Sequence, residues 1–192
     1  MNKSSAKDLF AAAMVMGAQV PEIVGAEGYY NLDCFDRHGK LKWTIHEKHN
    51  LVVNVGLKDM VDKYFLGVAY TAQWFIGLYG AAAANNPAAG DTAVAHPGWV
   101  EVVPYSNATR PAAVFATSIA ANPAIISNVA SPAVFNINAV GIVSGAFLIS
   151  NNVKNGATGV LFSAADLQAP GDRGVAVGDI INATYRFELT AT

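Results

Sequence analysis

His46-Glu47-Lys48-His49 carries the residue types closest to metal chemistry. A zinc-protease helix needs two histidines at i and i+4, with Glu beside the first, so that both imidazoles share one face. Here the second His stands at i+3 and position 50 is Asn50, so the segment reads as a solvated, mixed-charge exit from a strand. Cys34 is the single cysteine, so no internal disulfide is expected. A nucleophilic thiol needs a nearby base and an electropositive setting. His38 lies four residues on but across a turn, and the alternation around Cys34 makes it a small buried apolar residue. Asp91, Glu101, Asp166, Asp172 and Asp179 are the acids from which a sugar-cleaving pair would be drawn. The last three match no EF-hand spacing. The sequence has no G-x-S-x-G elbow, Walker-type loop or dinucleotide fingerprint. No catalytic residue, metal ligand or cofactor site is therefore assigned, and the expectation is a protein that is not an enzyme.

Binding offers two candidate places. Trp99 with Glu101 and Asn107 would make an aromatic platform beside a carboxylate and an amide, the pattern a glycan site wants. Against that, Trp43, Trp74 and Trp99 each lie in an apolar-patterned strand, where core packing is the expected role. Phe10, Met14 and Met16 are apolar residues with no evident core, in an N-terminal arm expected over residues 1–27. Lys3 and Lys7 ahead of the apolar stretch Leu9 to Val20 loosely imitate a signal peptide. Asp8 at its edge and the poor cleavage sequence favour an arm or a short helix.

These residues must be positioned by strands. Tyr29 to Phe35 alternates, Asp36-Arg37-His38-Gly39 is a turn, and Leu41, Trp43 and Ile45 face one way in the next run, which predicts a β-hairpin over 29–45. Whether that hairpin joins the main sandwich is open. Asn54 to Gly67 predicts a helix, with Asn54 as cap and Gly67 as terminator. Its expected core face is Leu57, Met60, Val61, Tyr64 and Phe65, opposite Lys58, Asp59, Asp62 and Lys63. Strands are predicted at 70–79, 99–103, 111–118, 133–138, 141–150, 159–162 and 179–190, with 133–138 and 141–150 as hairpin neighbours. Ala81 to Pro97 is a long loop of small residues. The last strand alternates Ile181, Ala183, Tyr185, Phe187 and Leu189 with polar residues, as a half-buried antiparallel strand does. The expected fold is mainly β, an antiparallel sandwich or jelly roll with one short helix and an N-terminal arm.

Composition limits the function. The 192 residues carry 14% charge and a formal net charge of −2, against about 25% charge in an average domain. That argues against a nucleic-acid footprint, and no apolar run is long enough to span a bilayer. Residues 1–63 hold eight basic and eight acidic side chains. Residues 64–192 hold only Arg110, Lys154, Arg173, Arg186, Asp91, Glu101, Asp166, Asp172, Asp179 and Glu188. A surface this neutral is explained either by neighbours that cover it or by a coat of Asn, Ser, Thr, Ala and Gly.

Several strings occur in a telling order: Gly39-Lys40-Leu41-Lys42-Trp43, Asn50-Leu51-Val52-Val53-Asn54-Val55-Gly56-Leu57, and Trp74-Phe75-Ile76-Gly77-Leu78-Tyr79. His96-Pro97-Gly98-Trp99-Val100-Glu101 and Tyr105-Ser106-Asn107-Ala108-Thr109-Arg110-Pro111 follow. Ile142-Val143-Ser144-Gly145-Ala146-Phe147-Leu148 and Gly178-Asp179-Ile180-Ile181 complete the series. From about Gly28 to the C-terminus the chain resembles tailed-bacteriophage capsid cement (head decoration) proteins. The resemblance implies a jelly-roll-like body on the outside of an HK97-type shell, made in the host cytoplasm. It implies binding to the major capsid protein and to itself as a homodimer or homotrimer, with no nucleic-acid or membrane partner. Phe10, Met14 and Met16 would then be shell contacts. The alternative is a tail or receptor-binding component that takes a host glycan at Trp99, Glu101 and Asn107.

Overall fold

The computed structural model describes residues 24–70, 73–80, 86–118, 120–167 and 171–191. Phe10, Met14 and Met16 lie outside the described residues. Among those residues the fold is mainly β, with antiparallel sheets and a single helix.

The first sheet is built on two long strands, β1 (Val24–Phe35) and the last strand, β13 (Ile180–Ala191), paired from Val24↔Ala191 to Phe35↔Ile180. β2 (Leu41–His49) flanks β1 on its other side. The hairpin therefore belongs to the main sheet. β1 begins at Val24, inside the span expected for the arm, because β13 pairs with it along its whole length. In the turn between β1 and β2, the Asp36 carboxylate accepts hydrogen bonds from the N–H groups of His38 and Lys40 at 2.8 and 2.9 Å, and Gly39 takes φ +78°. On the far edge of β13, β7 (Ala124–Ser127) and β8 (Ala133–Asn136) pair in succession.

The second sheet runs β3 (Leu51–Val52), β11 (Leu161–Asp166), β10 (Gly145–Ile149), β4 (Trp74–Gly80) and β5 (Val100–Val102), and β6 (Ala112–Ala113) also pairs with β4. β9 (Gly141–Val143) and β12 (Arg173–Val175) form a separate ribbon. Tyr30, Leu32, Cys34, Ile181, Ala183 and Tyr185 from the first sheet meet Ile76, Leu78, Ala146 and Leu148 from the second in one buried cluster. The alternation expected for β1 and β13 is observed.

Three expectations need correction. Residues 141–150 are not one strand, and 133–138 is not their hairpin neighbour: the chain turns a corner at Ser144, so β8, β9 and β10 lie in three different sheets. The predicted strand at 111–118 shrinks to Ala112–Ala113. The third correction is the helix, α1 (Asn54–Phe65). Val53, not Asn54, occupies its cap position, and no side chain caps it. Tyr64 and Phe65 are 82% and 73% exposed, and Leu57 and Val61 are also open to solvent. The helix docks instead through the line Gly56, Met60 and Lys63, spaced at helical intervals. A Cβ at Gly56 would stand 2.4 Å from the Phe162 carbonyl oxygen, so glycine alone permits this approach. Counting apolar side chains overlooked the residue without one. Asp59 and Lys63, expected in solvent, lie on the docked side as a 2.6 Å ion pair, with the ammonium 5.6 Å from the Trp74 ring centre. Gly67 at φ +65° ends the helix as its type and place predict.

Candidate functional site

The outer face of the second sheet carries the aromatic residues that the sequence offered for binding, and they form a closed nest. β4 and β10 are antiparallel, with Gly77 opposite Phe147 and Tyr79 opposite Gly145. Each glycine leaves room for the ring of the residue facing it on the other strand. Trp99 lies on these rings, with its centre 5.1 Å from Tyr79 and 5.0 Å from Phe147. The His96 imidazole stacks on the indole at 3.9 Å, and His96 Nδ1 donates to the Trp99 carbonyl at 2.8 Å. The indole N–H donates to buried Asp91 at 2.9 Å. Trp99 is 2% exposed, so the expected open platform is absent and the core role holds.

Glu101 is buried beside it. Its carboxylate accepts from Arg110 Nε at 2.8 Å and Nη2 at 2.6 Å, and from the Asn155 N–H at 2.5 Å. Arg110 also donates to the carbonyls of Asn151 and Gly156 and lies 5.3 Å from the Phe147 ring centre. The pair is saturated: the carboxylate has three donors aimed at it, and the guanidinium ties the loop between β10 and β11 to β5. Asn107 is separately engaged, donating to the Val134 carbonyl and accepting from the Asn136 N–H, both at 3.0 Å. It pins the chain after Tyr105 to β8. A cleft of about 220 Å³ opens beside Val94, His96, Trp99 and Arg110, but its polar groups already bind one another. The three candidate glycan residues thus do not form one surface.

The remaining chemical candidates are dispersed. His46 meets Asp33 at 3.0 Å, Glu47 meets Arg186 at 2.6 Å, and His49 sits edge-on to the Tyr29 ring. The three side chains serve different neighbours, and no cluster of metal-ligating residues occurs among the described residues. Cys34 is buried, 4.0 Å from an Asp179 oxygen. Burial, reinforced by that carboxylate, pushes its thiol up to about 11, so it is a protonated core residue at neutral pH. Asp179 itself accepts from Lys42 and from the Ala176 N–H, which locks the ribbon's exit onto β2.

Two surfaces were not foreseen as sites. One is an apolar hollow of about 380 Å³, lined among others by Met60, Tyr64, Tyr70, Trp74, Phe115 and Phe187. Its signal in the sequence was the run Tyr64-Phe65-Leu66 followed by Val68 and Tyr70, more apolar residues than one helix face can bury. The other surrounds the ribbon, where Val140, Ile142 and Val177 are exposed, Val140 to 81%. Register places them together: Gly141 pairs with Val175, which sets Val140 and Val177 beside one another at the same end.

No protein-family model matches this chain, and no curated protein matches it.

Proposed function

We propose that this protein is a virion structural protein that binds the outside of an HK97-type capsid and stabilises the expanded shell by bridging capsomers. The observation that carries the reading is the neutral, aliphatic surface of the body. The few charges of residues 64–192 are largely turned inward or onto partners: Arg110 on Glu101, Asp91 on Trp99, Asp179 on Lys42, Lys154 on the Tyr105 and Asn107 carbonyls, and Arg186 on Glu47 and Glu188. Solvent instead meets Val100, Val114, Val129, Val140, Ile142, Val153 and Val177. Such a surface suits a body covered by copies of itself and by the major capsid protein. The ordered string of motifs that resembles cement proteins supports the same reading.

The mechanism follows from association thermodynamics. A cement protein that touches several subunits makes each further contact intramolecular, so modest patches add up to high avidity. It drives the lattice toward the expanded form only to the extent that it binds that form more tightly. Stiff, paired strands with few titratable groups suit such a clamp.

The ribbon end is assigned to the covered face. Introducing Val140→Glu together with Val177→Glu is expected to weaken binding to expanded shells at least about tenfold, because two carboxylates would be desolvated without partners. The melting temperature should stay within a few degrees, since both side chains are exposed. Unchanged shell binding would remove the ribbon from the interface.

A further inference from the structure

The apolar hollow lies along the half of β13 away from the ribbon, where Tyr185 and Phe187 line it. Phe187 lines it and stands seven residues beyond Ile180, about 24 Å along a strand. Two tyrosines at its rim, Tyr64 and Tyr70, are each 82% exposed. Below them Phe162 packs edge-on to Trp74 and Phe187, with ring centres 5.5 and 5.3 Å away. An open apolar floor with exposed aromatics on its rim is a surface that something covers.

We infer that the hollow seats the apolar N-terminal segment of the same chain, with Phe10, Met14 and Met16 as the side chains that fill it. Position argues for this occupant. Phe187 pairs with Gly28, and β1 starts only four residues earlier at Val24, about 14 Å along the strand. The 23 residues that precede Val24 are thus attached on the hollow's side of β1, away from the ribbon. Reach is ample. Met14 is ten residues before Val24, and ten extended residues span about 33 Å. The chemistry also matches. Leu9 to Val20 contains no charged residue, and the charges at the rim, Asp59 and Lys63, are paired with each other. Unbranched methionines adapt to an irregular apolar floor of this kind. A tethered segment needs little intrinsic affinity, because its effective concentration is high. The inference does not rest on the shell-binding reading. It moves the three side chains from the shell to the body.

The test uses the full chain, with Phe10 replaced by the photo-crosslinker p-benzoylphenylalanine. Irradiation should give cross-links within one chain to peptides that contain Tyr64, Tyr70, Phe115 or Ile126. In the unsubstituted chain, hydrogen exchange over residues 9–16 should be at least about tenfold slower than in the double variant Phe10→Asp/Met14→Asp. Cross-links between chains would overturn the inference in favour of a second copy's segment. Cross-links to other parts of the body, or equal exchange in the two proteins, would overturn it in favour of an external occupant.

Discussion

Arg110→Met should destabilise the fold by about 3–5 kcal/mol, the cost of leaving a buried carboxylate without its counter-charge. Glu101 and Arg110 are 8% and 2% exposed, so water does not replace the two lost hydrogen bonds. The guanidinium also bridges Asn151 and Gly156 to β5, and its removal frees both carbonyls. The double variant Arg110→Met/Glu101→Leu should recover much of the loss, because a buried pair replaced as a unit by apolar groups is often near neutral. Urea unfolding of the two variants measures this. A loss under about 1 kcal/mol for Arg110→Met would mean that the pair is hydrated and that the nest is looser than described.

A comparable loss, about 3 kcal/mol, is expected from Gly145→Ala or Gly77→Ala. A Cβ at Gly145 would fall 1.9 Å from Tyr79 Cζ, and one at Gly77 would fall 2.1 Å from Phe147 Cζ. Neither ring is free to yield, because Trp99 lies on both. Overpacking of this kind forces side chains off their rotamers or spreads the strands. Gly174→Ala is the control, since a Cβ there meets nothing within 4 Å, and it should change stability by less than about 0.5 kcal/mol. Thermal unfolding separates the cases. Equal melting temperatures for Gly145→Ala and Gly174→Ala would show that the paired rings are not held where the structure has them.

What the sequence made legible follows from how strongly each element reports one face. β1 and β13 alternate cleanly because each has one face on the core: β13 is legible almost end to end, β1 only from Tyr29, since Val24 to Gly28 fall in or beside the expected arm. β11 was read only at its start. Leu161-Phe162-Ser163-Ala164-Ala165 is buried on both faces, under the first sheet and under the loop that carries Trp99, so alternation vanished. β3, β7 and β12 have two to four residues, too short for any period. The break at Ser144 falls at a Ser-Gly pair, a turn signal that the apolar runs on both sides mask. Its cause is tertiary: the Ser144 N–H donates to the Tyr79 carbonyl, and its own carbonyl accepts from Leu167. The helix was found by its period, yet its docked face was misjudged, since Gly56 contributes closeness and no side chain. Trp99 was read both as core and as platform. The indole's partner Asp91, eight residues earlier in a loop, closed the platform, and no local pattern announces that bond.

The proposed role requires that this protein bind an expanded capsid lattice. The direct measurement is co-sedimentation of the purified protein with HK97-type shells, unexpanded and expanded, both lacking the protein. Saturable binding to expanded shells, with a fixed copy number per capsomer, is expected, and little or none to unexpanded ones. Absence of binding to both would contradict it.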